Sequence, residues 1–333
     1  MNKDNLTVAV VGATGAVGRE ILSIFSERRF PAANLKLFAS PRSAGAEIKF
    51  EGGRASVLSL APGCFEGVDI AIFSAGAGRS REYAPQAARE GAVVIDNSSA
   101  FRMDGDVPLV IPEINGGLLD EIPPGRIFAN PNCTTAIIAM ALKPIHDEGV
   151  VKNVVATSFQ SVSGAGAGGM AELEQQLRDW PSPARPEVFP AQILLNVIPQ
   201  IDVFLDNNYT KEEMKIHNEA RKILAADINV SATAVRVPVM RAHSISATVE
   251  TEKPVSPELA ADAIRAFPGV QVVDDPYPMP IDCSGRDDCF VGRIRRDLTG
   301  ENRICFWVVG DQLRKGAALN SVQMAEWIIR RHG

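Results

Sequence analysis

The segment LTVAVVGATGAVG at Leu6–Gly18 is the strongest indication of the fold, because a strand pattern in it is followed directly by a glycine turn. Its first part, Leu6–Val11, is apolar and rich in β-branched residues, which is typical of a strand. Three glycines follow in a GxxGxxG spacing, and Arg19–Glu27 has a helical pattern. Strand, glycine turn and helix in this order open a dinucleotide-binding βαβ unit, in which backbone N–H groups approach a pyrophosphate. A glycine-rich turn without a ligand is the alternative.

The same alternation continues to about residue 130. Apolar runs predict further strands at Leu35–Ala39, Val68–Ser74 and Ala92–Asp96, and Tyr83–Glu90 has a helical pattern. Strands that alternate with helices predict an α/β domain of the Rossmann type, with a doubly wound parallel sheet.

The pattern changes after Cys133. Thr134–Glu148 predicts a long apolar helix. Strands then follow one another with fewer helices between them, at Val150–Val162, Ala232–Val239, Ser244–Glu250 and Arg303–Val309. This succession predicts an α+β domain with a largely antiparallel sheet. The last segment, Gly316–Arg330, is helical and is expected to return to the first domain. We therefore predict one domain of residues 1–131 and 315–333, and a second of residues 132–314.

Composition narrows the class of protein. The 333 residues are 46% hydrophobic and 22% charged with a formal net charge of -6, which favours a globular protein and argues against a nucleic-acid partner. Apolar runs such as Ala136–Leu142 are too short to span a membrane, and the polar Met1–Thr7 does not resemble a signal peptide. Five cysteines, an odd number without a CxxC pair, argue against disulfides and a metal site. We expect a cytoplasmic protein without bound metal.

The residues after the second strand predict which nucleotide binds. NAD-binding folds place a carboxylate there to hold the ribose 2′-hydroxyl. This chain has Ser40, Arg42 and Ser43 instead, and a guanidinium pairs with a phosphate that a carboxylate would repel. The sequence therefore predicts NADP rather than NAD. The alternative is that Arg42 is a solvated loop residue.

Cys133 is the candidate nucleophile. It lies in NPNCTT at Asn130–Thr135, between a loop and the start of a helix, where N–H groups and the helix dipole stabilise a thiolate. A buried core cysteine is the alternative. The chain has four histidines, at positions 146, 217, 243 and 332, that could move its proton. His243, at a strand end just after Arg241, is the best candidate by elimination.

Taken in order over nearly the whole chain, these motifs resemble the bacterial aspartate-β-semialdehyde dehydrogenases. The matching segments are GATGAVG at Gly12–Gly18, SAG at Ser74–Gly76, DNSSAFR at Asp96–Arg102, NPNCTT at Asn130–Thr135, FQSVSGAG at Phe159–Gly166, EEMK at Glu212–Lys215, RVPV at Arg236–Val239, RAHS at Arg241–Ser244 and RKGAALNS at Arg314–Ser321. Jointly they are highly specific. The resemblance implies a glyceraldehyde-phosphate-dehydrogenase-like fold whose second domain serves catalysis and dimerisation.

The resemblance also implies a reaction, in which NADPH converts L-aspartyl 4-phosphate to L-aspartate 4-semialdehyde and phosphate. This step leads toward lysine, threonine, methionine and diaminopimelate. Cys133 would form an acyl-thioester, His243 would be the general acid/base and Gln160 would orient the acyl group. The implied substrate contacts are Arg236 for the α-carboxylate, Glu212 for the amine, with Glu213 as the alternative, and Arg102 and Lys215 for the phosphate.

The cofactor contacts implied by the resemblance come from several segments. They are Gly12, Thr14, Gly15, Ala16 and Val17 in the glycine turn, Ser40, Arg42 and Ser43 after the second strand, and Ser163, Gly164 and Asn320 further on. The implied assembly is a homodimer, or a dimer of dimers, with small-molecule substrates and no membrane partner.

Other functions stay open. N-acetyl-glutamyl-phosphate reductases and reductases of acyl-CoA thioesters share the nucleophilic cysteine and the nucleotide fold, but the DNSSAFR and EEMK segments favour the aspartyl enzyme. A non-catalytic NADP-binding regulator is the alternative from a different class, because a fold does not fix a function. For Arg102 and Lys215 the alternative is a surface charge.

Overall fold

A computed structural model describes residues 5–50, 53–182 and 185–333 of the chain. The chain divides into two compact units. The first comprises Met1–Asn132 and Ala317–Gly333, and the second comprises Cys133–Gly316. Each unit has its own sheet.

The first unit contains a seven-stranded sheet with the order β3-β4-β2-β1-β5-β6-β7. Its strands are β1 (Thr7–Val11), β2 (Asn34–Ala39), β3 (Glu47–Phe50), β4 (Gly53–Ser59), β5 (Ile70–Phe73), β6 (Val93–Asp96) and β7 (Ile127–Ala129). Every pair is parallel except β3 with β4, which forms an antiparallel edge. The sheet therefore has the mostly parallel, doubly wound form.

Helices cover both faces of this sheet. They are α1 (Ala16–Glu27), α2 (Ala77–Arg89), the short α3 (Pro112–Asn115) and α9 (Leu319–His332). Alternate residues of β1 point to opposite faces, so Val8 and Val10 pack with α1 and α9 while Ala9 and Val11 pack on the side of α2. The C-terminal helix thus completes the core of the N-terminal unit.

The ends of the parallel strands lie in one row. Val11 pairs with Phe38 and Phe73, and Phe73 pairs with Asp96. The turns that follow β1, β2, β5 and β6 therefore leave the sheet at the same edge. In open α/β sheets this carboxyl edge is where ligands bind.

The second unit contains a six-stranded mixed sheet with the order β11-β12-β13-β10-β8-β9. Its strands are β8 (Val151–Gln160), β9 (Asn229–Arg236), β10 (His243–Thr251), β11 (Val270–Val272), β12 (Cys289–Arg296) and β13 (Arg303–Gly310). The three central pairs are antiparallel, and the two outer pairs are parallel. The largely antiparallel second sheet predicted from the sequence is thereby confirmed.

Helices pack against this second sheet. They are α4 (Cys133–Gly149), α5 (Gly166–Arg178), α6 (Lys211–Leu224), α7 (Pro257–Ala266) and the short α8 (Pro280–Cys283). Helix α4 is apolar on nearly all sides, and Ala136–Leu142 is fully buried between the sheet, α6 and α7. A helix with this composition is expected in a core rather than on a surface.

The register brings three predicted site residues to one end of this sheet. Gln160, the last residue of β8, pairs with Arg236, the last residue of the parallel strand β9. Strand β10 runs the other way and begins at His243, beside the end of β8. The β8–β10 register therefore places the three side chains near one another.

Some predicted element bounds were wrong. The strand predicted at Val150–Val162 ends at Gln160, and a short 3₁₀ turn at Val162–Ala165 follows it. The strand predicted through Val239 ends at Arg236, before Pro238. The final helix begins at Leu319, after a π turn at Arg314–Ala318, and not at Gly316. No helix within the described ranges is long and apolar enough to cross a membrane.

Candidate active site

The glycine turn after β1 is closely packed. Gly12 has a φ of +92°, and a Cβ there would lie 2.4 Å from the carbonyl oxygen of Ser74. A Cβ on Gly18 would lie 2.2 Å from the carbonyl oxygen of Gly12. The backbone N–H groups of Gly12 and Ala13 donate to Phe38 O at 2.7 and 3.0 Å. Only glycine fits these two positions, because Gly12 lies against the residue that follows β5 and Gly18 lies against the turn itself.

The first turn of α1 has N–H groups that none of the described side chains caps. Gly15 is its N-cap residue. Ala16 and Val17 form the first turn, and Arg19 Nε donates to Thr14 O at 3.2 Å. Uncapped N–H groups at a helix N-terminus attract phosphate. These residues therefore fit the pyrophosphate of a dinucleotide.

The segment after β2 presents a cation and two hydroxyl groups. Pro41–Ser43 forms a 3₁₀ turn, with Ser40 as its N-cap residue, and the N–H of Ser43 donates to Ser40 O at 2.8 Å. Arg42 is exposed at the tip of this turn. The guanidinium of Arg42 is therefore accessible to a ligand.

Arg102 and Asn320 are buried and have structural partners in the first unit. Arg102 donates to the carbonyl oxygens of Asn130 and Asn97 at 2.9 and 2.8 Å. Asn320 donates through Nδ2 to Val110 O at 2.9 Å and to Asn130 Oδ1 at 2.7 Å. Both side chains therefore fix the loop around Asn130, in addition to any ligand role.

Asp96, the first residue of the DNSSAFR segment, is a buried carboxylate next to these residues. It is fully buried, and its carboxylate accepts hydrogen bonds from Ser80 Oγ and Ser98 Oγ, each at 2.7 Å. Burial raises the pKa of Asp96, although these hydroxyl groups and Arg102 oppose the shift. Asp96 therefore organises the loop that carries Arg102.

Cys133 is the first residue of α4 and is half-buried. A Cβ on Gly316 would lie 2.8 Å from Cys133 Cβ, so the backbone of Gly316 lies directly against the thiol-bearing residue. The negative charge of an ionised Cys133 opposes, after that of Glu212, the lowering of the pKa of the buried Arg236. The structure thus brings the predicted nucleophile near a buried cation, which stabilises a thiolate.

Arg236 is the buried cation of the C-terminal unit. It donates from Nη1 to Ser161 O at 2.7 Å, and its guanidinium lies 5.8 Å from the ring centre of Phe189. Burial lowers the pKa of Arg236, while Glu212 and Cys133 act in the opposite direction. Its planar guanidinium is suited to a carboxylate.

Gln160, Glu212, Lys215 and Asp202 form a chain of hydrogen bonds. Gln160 Nε2 donates to Glu212 Oε1 at 3.3 Å, and Lys215 Nζ donates to Glu212 Oε2 at 3.1 Å and to Asp202 Oδ2 at 3.0 Å. Burial by itself would lower the pKa of Lys215, but Glu212 and Asp202 outweigh it and the pKa is raised. Lys215 therefore stays charged. Sequence reasoning missed Asp202, which lies far from Lys215 in the chain.

Glu213 stabilises the start of α6. It forms a capping box with Thr210 at the start of α6, and its Oε1 also accepts the N–H of Ala234 at 2.9 Å. Its carboxylate is therefore committed to backbone groups. The geometry favours Glu212 over Glu213 as the residue that faces a substrate.

His243 is fully buried at the start of β10. Its Nδ1 accepts the N–H of Ser161 at 3.1 Å and lies 3.0 Å from Ser161 Oγ. Its Nε2 has no hydrogen-bond partner within the described part of the chain. Burial first, and then the charge of Arg236, hold the pKa of His243 well below its ordinary value of 6.5, so the ring is neutral.

Ser163 and Gly164 lie next to this histidine. Ser163 is buried, and its hydroxyl contacts Ser161 Oγ at 3.0 Å and Gln312 Nε2. A Cβ on Gly164 would lie 2.6 Å from Arg236 Nη1 and 3.2 Å from His243 Nε2. Two polar side-chain atoms of the site thus converge on the bare backbone of Gly164.

The other four cysteines are unsuited to nucleophilic chemistry. Burial raises the pKa of Cys283 to about 12, and it also raises the pKa values of Cys64 and Cys305. Cys289 is fully buried. A thiol with a raised pKa forms little thiolate at neutral pH.

Comparisons with known proteins show which family this chain belongs to. The family model of the semialdehyde dehydrogenase NAD binding domain matches residues 7–122, and that of the semialdehyde dehydrogenase dimerisation domain matches residues 142–315. These matches define an oxidoreductase with an NAD(P)-binding Rossmann-like domain followed by a dimerisation domain.

Relatives that match over nearly the full length show the family more closely. An aspartate-semialdehyde dehydrogenase of Aquifex aeolicus is 49% identical, with 97% of this chain and 98% of the relative covered. One of Synechocystis is 45% identical, with 98% of each covered. The crystal structure of aspartate semialdehyde dehydrogenase II from Vibrio cholerae, complexed with ASA, superposes with a TM-score of 0.96 at 42% identity over 99% of both chains. The chain belongs to the bacterial aspartate-semialdehyde dehydrogenases and has that activity in aspartate-family amino-acid biosynthesis.

Proposed function

We propose that this enzyme uses NADPH to convert L-aspartyl 4-phosphate to L-aspartate 4-semialdehyde and phosphate through an acyl-thioester on Cys133. The observation that carries the proposal is the placement of Cys133 at the start of α4, close enough to the buried Arg236 for their charges to interact. A thiolate at a helix N-terminus beside a cation is the arrangement of a nucleophilic cysteine.

The substrate carries a carboxylate, an amine and a phosphate, and the second unit offers a partner for each. Arg236 is a buried guanidinium for the α-carboxylate, and Glu212 is a buried carboxylate for the amine. Lys215, held charged by Glu212 and Asp202, is the cation for the phosphate. We assign Arg102 to the same phosphate by family resemblance, and Gln160, hydrogen-bonded to Glu212, to the acyl group.

The proposed chemistry has two stages. The Cys133 thiolate attacks the acyl carbon, the carbonyl oxygen gains negative charge, and phosphate leaves to give the thioester. When bound, NADPH supplies the hydride that reduces this thioester. The resulting hemithioacetal then releases the aldehyde and returns Cys133 to its thiolate. We assign to His243 of the second unit the transfer of protons, or the donation of a hydrogen bond, during these steps.

We assign the cofactor to residues that fit a dinucleotide phosphate. Gly12, Thr14, Gly15, Ala16 and Val17 surround the pyrophosphate, and Ser40, Arg42 and Ser43 contact the 2′-phosphate of NADP. Ser163, Gly164 and Asn320 are assigned to the cofactor on resemblance. The inward hydroxyl of Ser163 favours a backbone contact at that position, and Asn320, whose amide donates to Asn130 Oδ1, also fixes the loop around Asn130.

Two further features of the enzyme are part of the proposal. We infer a homodimer, because the C-terminal unit matches a dimerisation domain. We also infer action in the cytoplasm, which agrees with five free thiols. Light scattering of the purified protein measures its mass in solution and so tests the homodimer. A mass other than twice that of the chain contradicts the homodimer.

A reverse-direction assay tests the proposed function. Purified enzyme is given L-aspartate 4-semialdehyde, NADP and phosphate, and formation of NADPH is followed. Parallel reactions replace the substrate with N-acetyl-glutamate semialdehyde or the cofactor with NAD. Turnover with aspartate semialdehyde and preference for NADP are expected. Turnover only with the N-acetylated analogue contradicts the proposal, and no turnover with either aldehyde supports a regulator.

A further inference from the structure

Asp202 shares the ammonium group of Lys215 with Glu212. Lys215 Nζ donates to Asp202 Oδ2 at 3.0 Å and to Glu212 Oε2 at 3.1 Å. Two carboxylates therefore pair with one cation, and the three side chains together carry a net negative charge. A phosphate that approaches Lys215 meets this negative charge as well as the ammonium group.

The backbone presents Asp202 to Lys215. The N–H of Val203 donates to Asp202 Oδ1 at 2.9 Å, while Oδ2 accepts from Lys215. The N–H of Lys211 donates to Val203 O at 2.9 Å, so the segment that carries Asp202 is tied to the first residue of α6. Burial by itself would raise the pKa of Asp202, but the hydrogen bonds from Lys215 and Val203 outweigh it and the pKa is lowered. Asp202 is therefore an ionised partner of Lys215.

The two carboxylates differ in how readily each can give up Lys215. Glu212 is 5% exposed, lies one turn before Lys215 on α6 and also accepts from Gln160 Nε2 at 3.3 Å. The Asp202 side chain is 34% exposed and lies on an irregular segment outside the helix. Asp202 also lines a cavity of about 430 Å³ together with Arg236, the residue assigned to the α-carboxylate of the substrate. A ligand in that cavity therefore lies beside the carboxylate that α6 does not hold.

We infer that Asp202 is a positioning residue that acts through Lys215, because it holds the ammonium group and competes with phosphate for it, so that phosphate binds weakly and leaves. This inference rests on the proposed function and deepens it, since phosphate is released in the biosynthetic direction. Like charges repel, so a bound phosphate and the Asp202 carboxylate weaken each other's contact with Lys215. Loss of the Asp202 charge should therefore tighten phosphate binding, whereas loss of a purely structural contact should weaken it.

Asp202→Asn removes the charge and keeps the size of the side chain. Burial by itself would lower the pKa of Lys215, and the charge of Glu212 is the largest effect that raises it, so Lys215 is expected to stay charged in this variant. We expect the KM for phosphate in the reverse direction to fall about fivefold, the size of effect expected for one partly exposed charge pair. Calorimetric titration of the full-length enzyme with inorganic phosphate should show the same gain in affinity. A KM for phosphate that is unchanged or raised overturns the inference.

Two further variants show whether the effect passes through Lys215. Asp206→Asn is the matched control, because it removes the same charge from an exposed residue of the same segment. It should leave the KM for phosphate unchanged, and an equal fall in both variants overturns the inference. In a Lys215→Met background, Asp202→Asn should have a smaller effect, because no ammonium group remains to compete for. An equally large fall there shows that Asp202 does not act through Lys215.

The outcomes separate this inference from the proposed function. If Lys215→Met raises the KM for phosphate and Asp202→Asn does not lower it, the inference is overturned and the assignment of Lys215 stands. If the enzyme does not turn over aspartate semialdehyde with NADP and phosphate, the proposed function is overturned. The calorimetric titration does not depend on turnover, so it tests Asp202 in either case.

Discussion

Gly164 lies so close to Arg236 that a Cβ on the glycine would come within 2.6 Å of Arg236 Nη1. The same Cβ would lie 3.2 Å from His243 Nε2. Both neighbours are buried side chains held by hydrogen bonds to Ser161, so neither can move aside freely. The absence of a side chain at Gly164 is therefore what allows the guanidinium and the imidazole to approach one another.

Gly164→Ala is expected to reduce kcat/KM by about a hundredfold, because the added methyl displaces Arg236 and His243 from their positions. Steady-state kinetics in the reverse direction measures this loss. Gly168→Ala is the matched control, since a Cβ there makes only an ordinary 3.5 Å contact with Val188. Equal activities of the two variants would show that the close approach at Gly164 has no catalytic consequence.

Lys215→Met is expected to raise the KM for phosphate about tenfold in the reverse direction, because the site loses a charged hydrogen-bond donor. Lys211→Met is the control, since Lys211 is an exposed cation on the same helix. Phosphate saturation curves of the two variants give the comparison. A KM for phosphate that stays at the value of the unaltered enzyme would remove Lys215 from the phosphate site.

Arg42→Ala tests the nucleotide preference. The KM for NADP should rise about tenfold and the KM for NAD should stay unchanged, because only NADP carries the 2′-phosphate. Arg54→Ala, which removes an exposed arginine paired with Glu47 on the neighbouring strand, should change neither constant. If the KM values for NADP and NAD rise together in Arg42→Ala, Arg42 does not contact the 2′-phosphate.

The buried, neutral His243 makes stability depend on pH. The unfolded chain takes up a proton at this histidine below about pH 6.5, whereas the folded chain does not, because burial and Arg236 lower the pKa. The free energy of unfolding should therefore fall with decreasing pH below 6.5, by about 1.4 kcal/mol per pH unit from this group. Urea unfolding at several pH values measures it. His243→Gln should show a shallower slope, and parallel slopes would contradict the pKa shift.

Much of this architecture follows from local patterns in the sequence. The glycine turn and the apolar runs after it predict the parallel sheet, because strands buried on both faces need continuous apolar residues. The strands β3 and β4 were missed, since Glu47–Phe50 and Gly53–Ser59 lie at an exposed edge and carry little apolar signal. Helix α5 was missed because glycines at 166, 168 and 169 disfavour a helix, and packing overrides that preference.

The site was harder to predict than the fold. The choice between Glu212 and Glu213 could have been made from sequence, since Thr210 and Glu213 have the spacing of a capping box. The contact of His243 with Ser161 could not, because it joins distant segments and depends on strand register. The contact of Lys215 with Asp202 could not either, because it depends on how an irregular segment packs against α6.

Cys133 is proposed to carry the acyl group, and a single-turnover experiment without phosphate tests this assignment. Mixed with L-aspartate 4-semialdehyde and NADP, the enzyme should form about one NADPH per subunit and then stop, because the thioester has no acceptor. Mass spectrometry should find the aspartyl group on the peptide that contains Cys133. Cys64→Ser should behave in the same way, whereas Cys133→Ser should show no burst. A burst that persists in Cys133→Ser, or an acyl group found on another residue, would contradict the account.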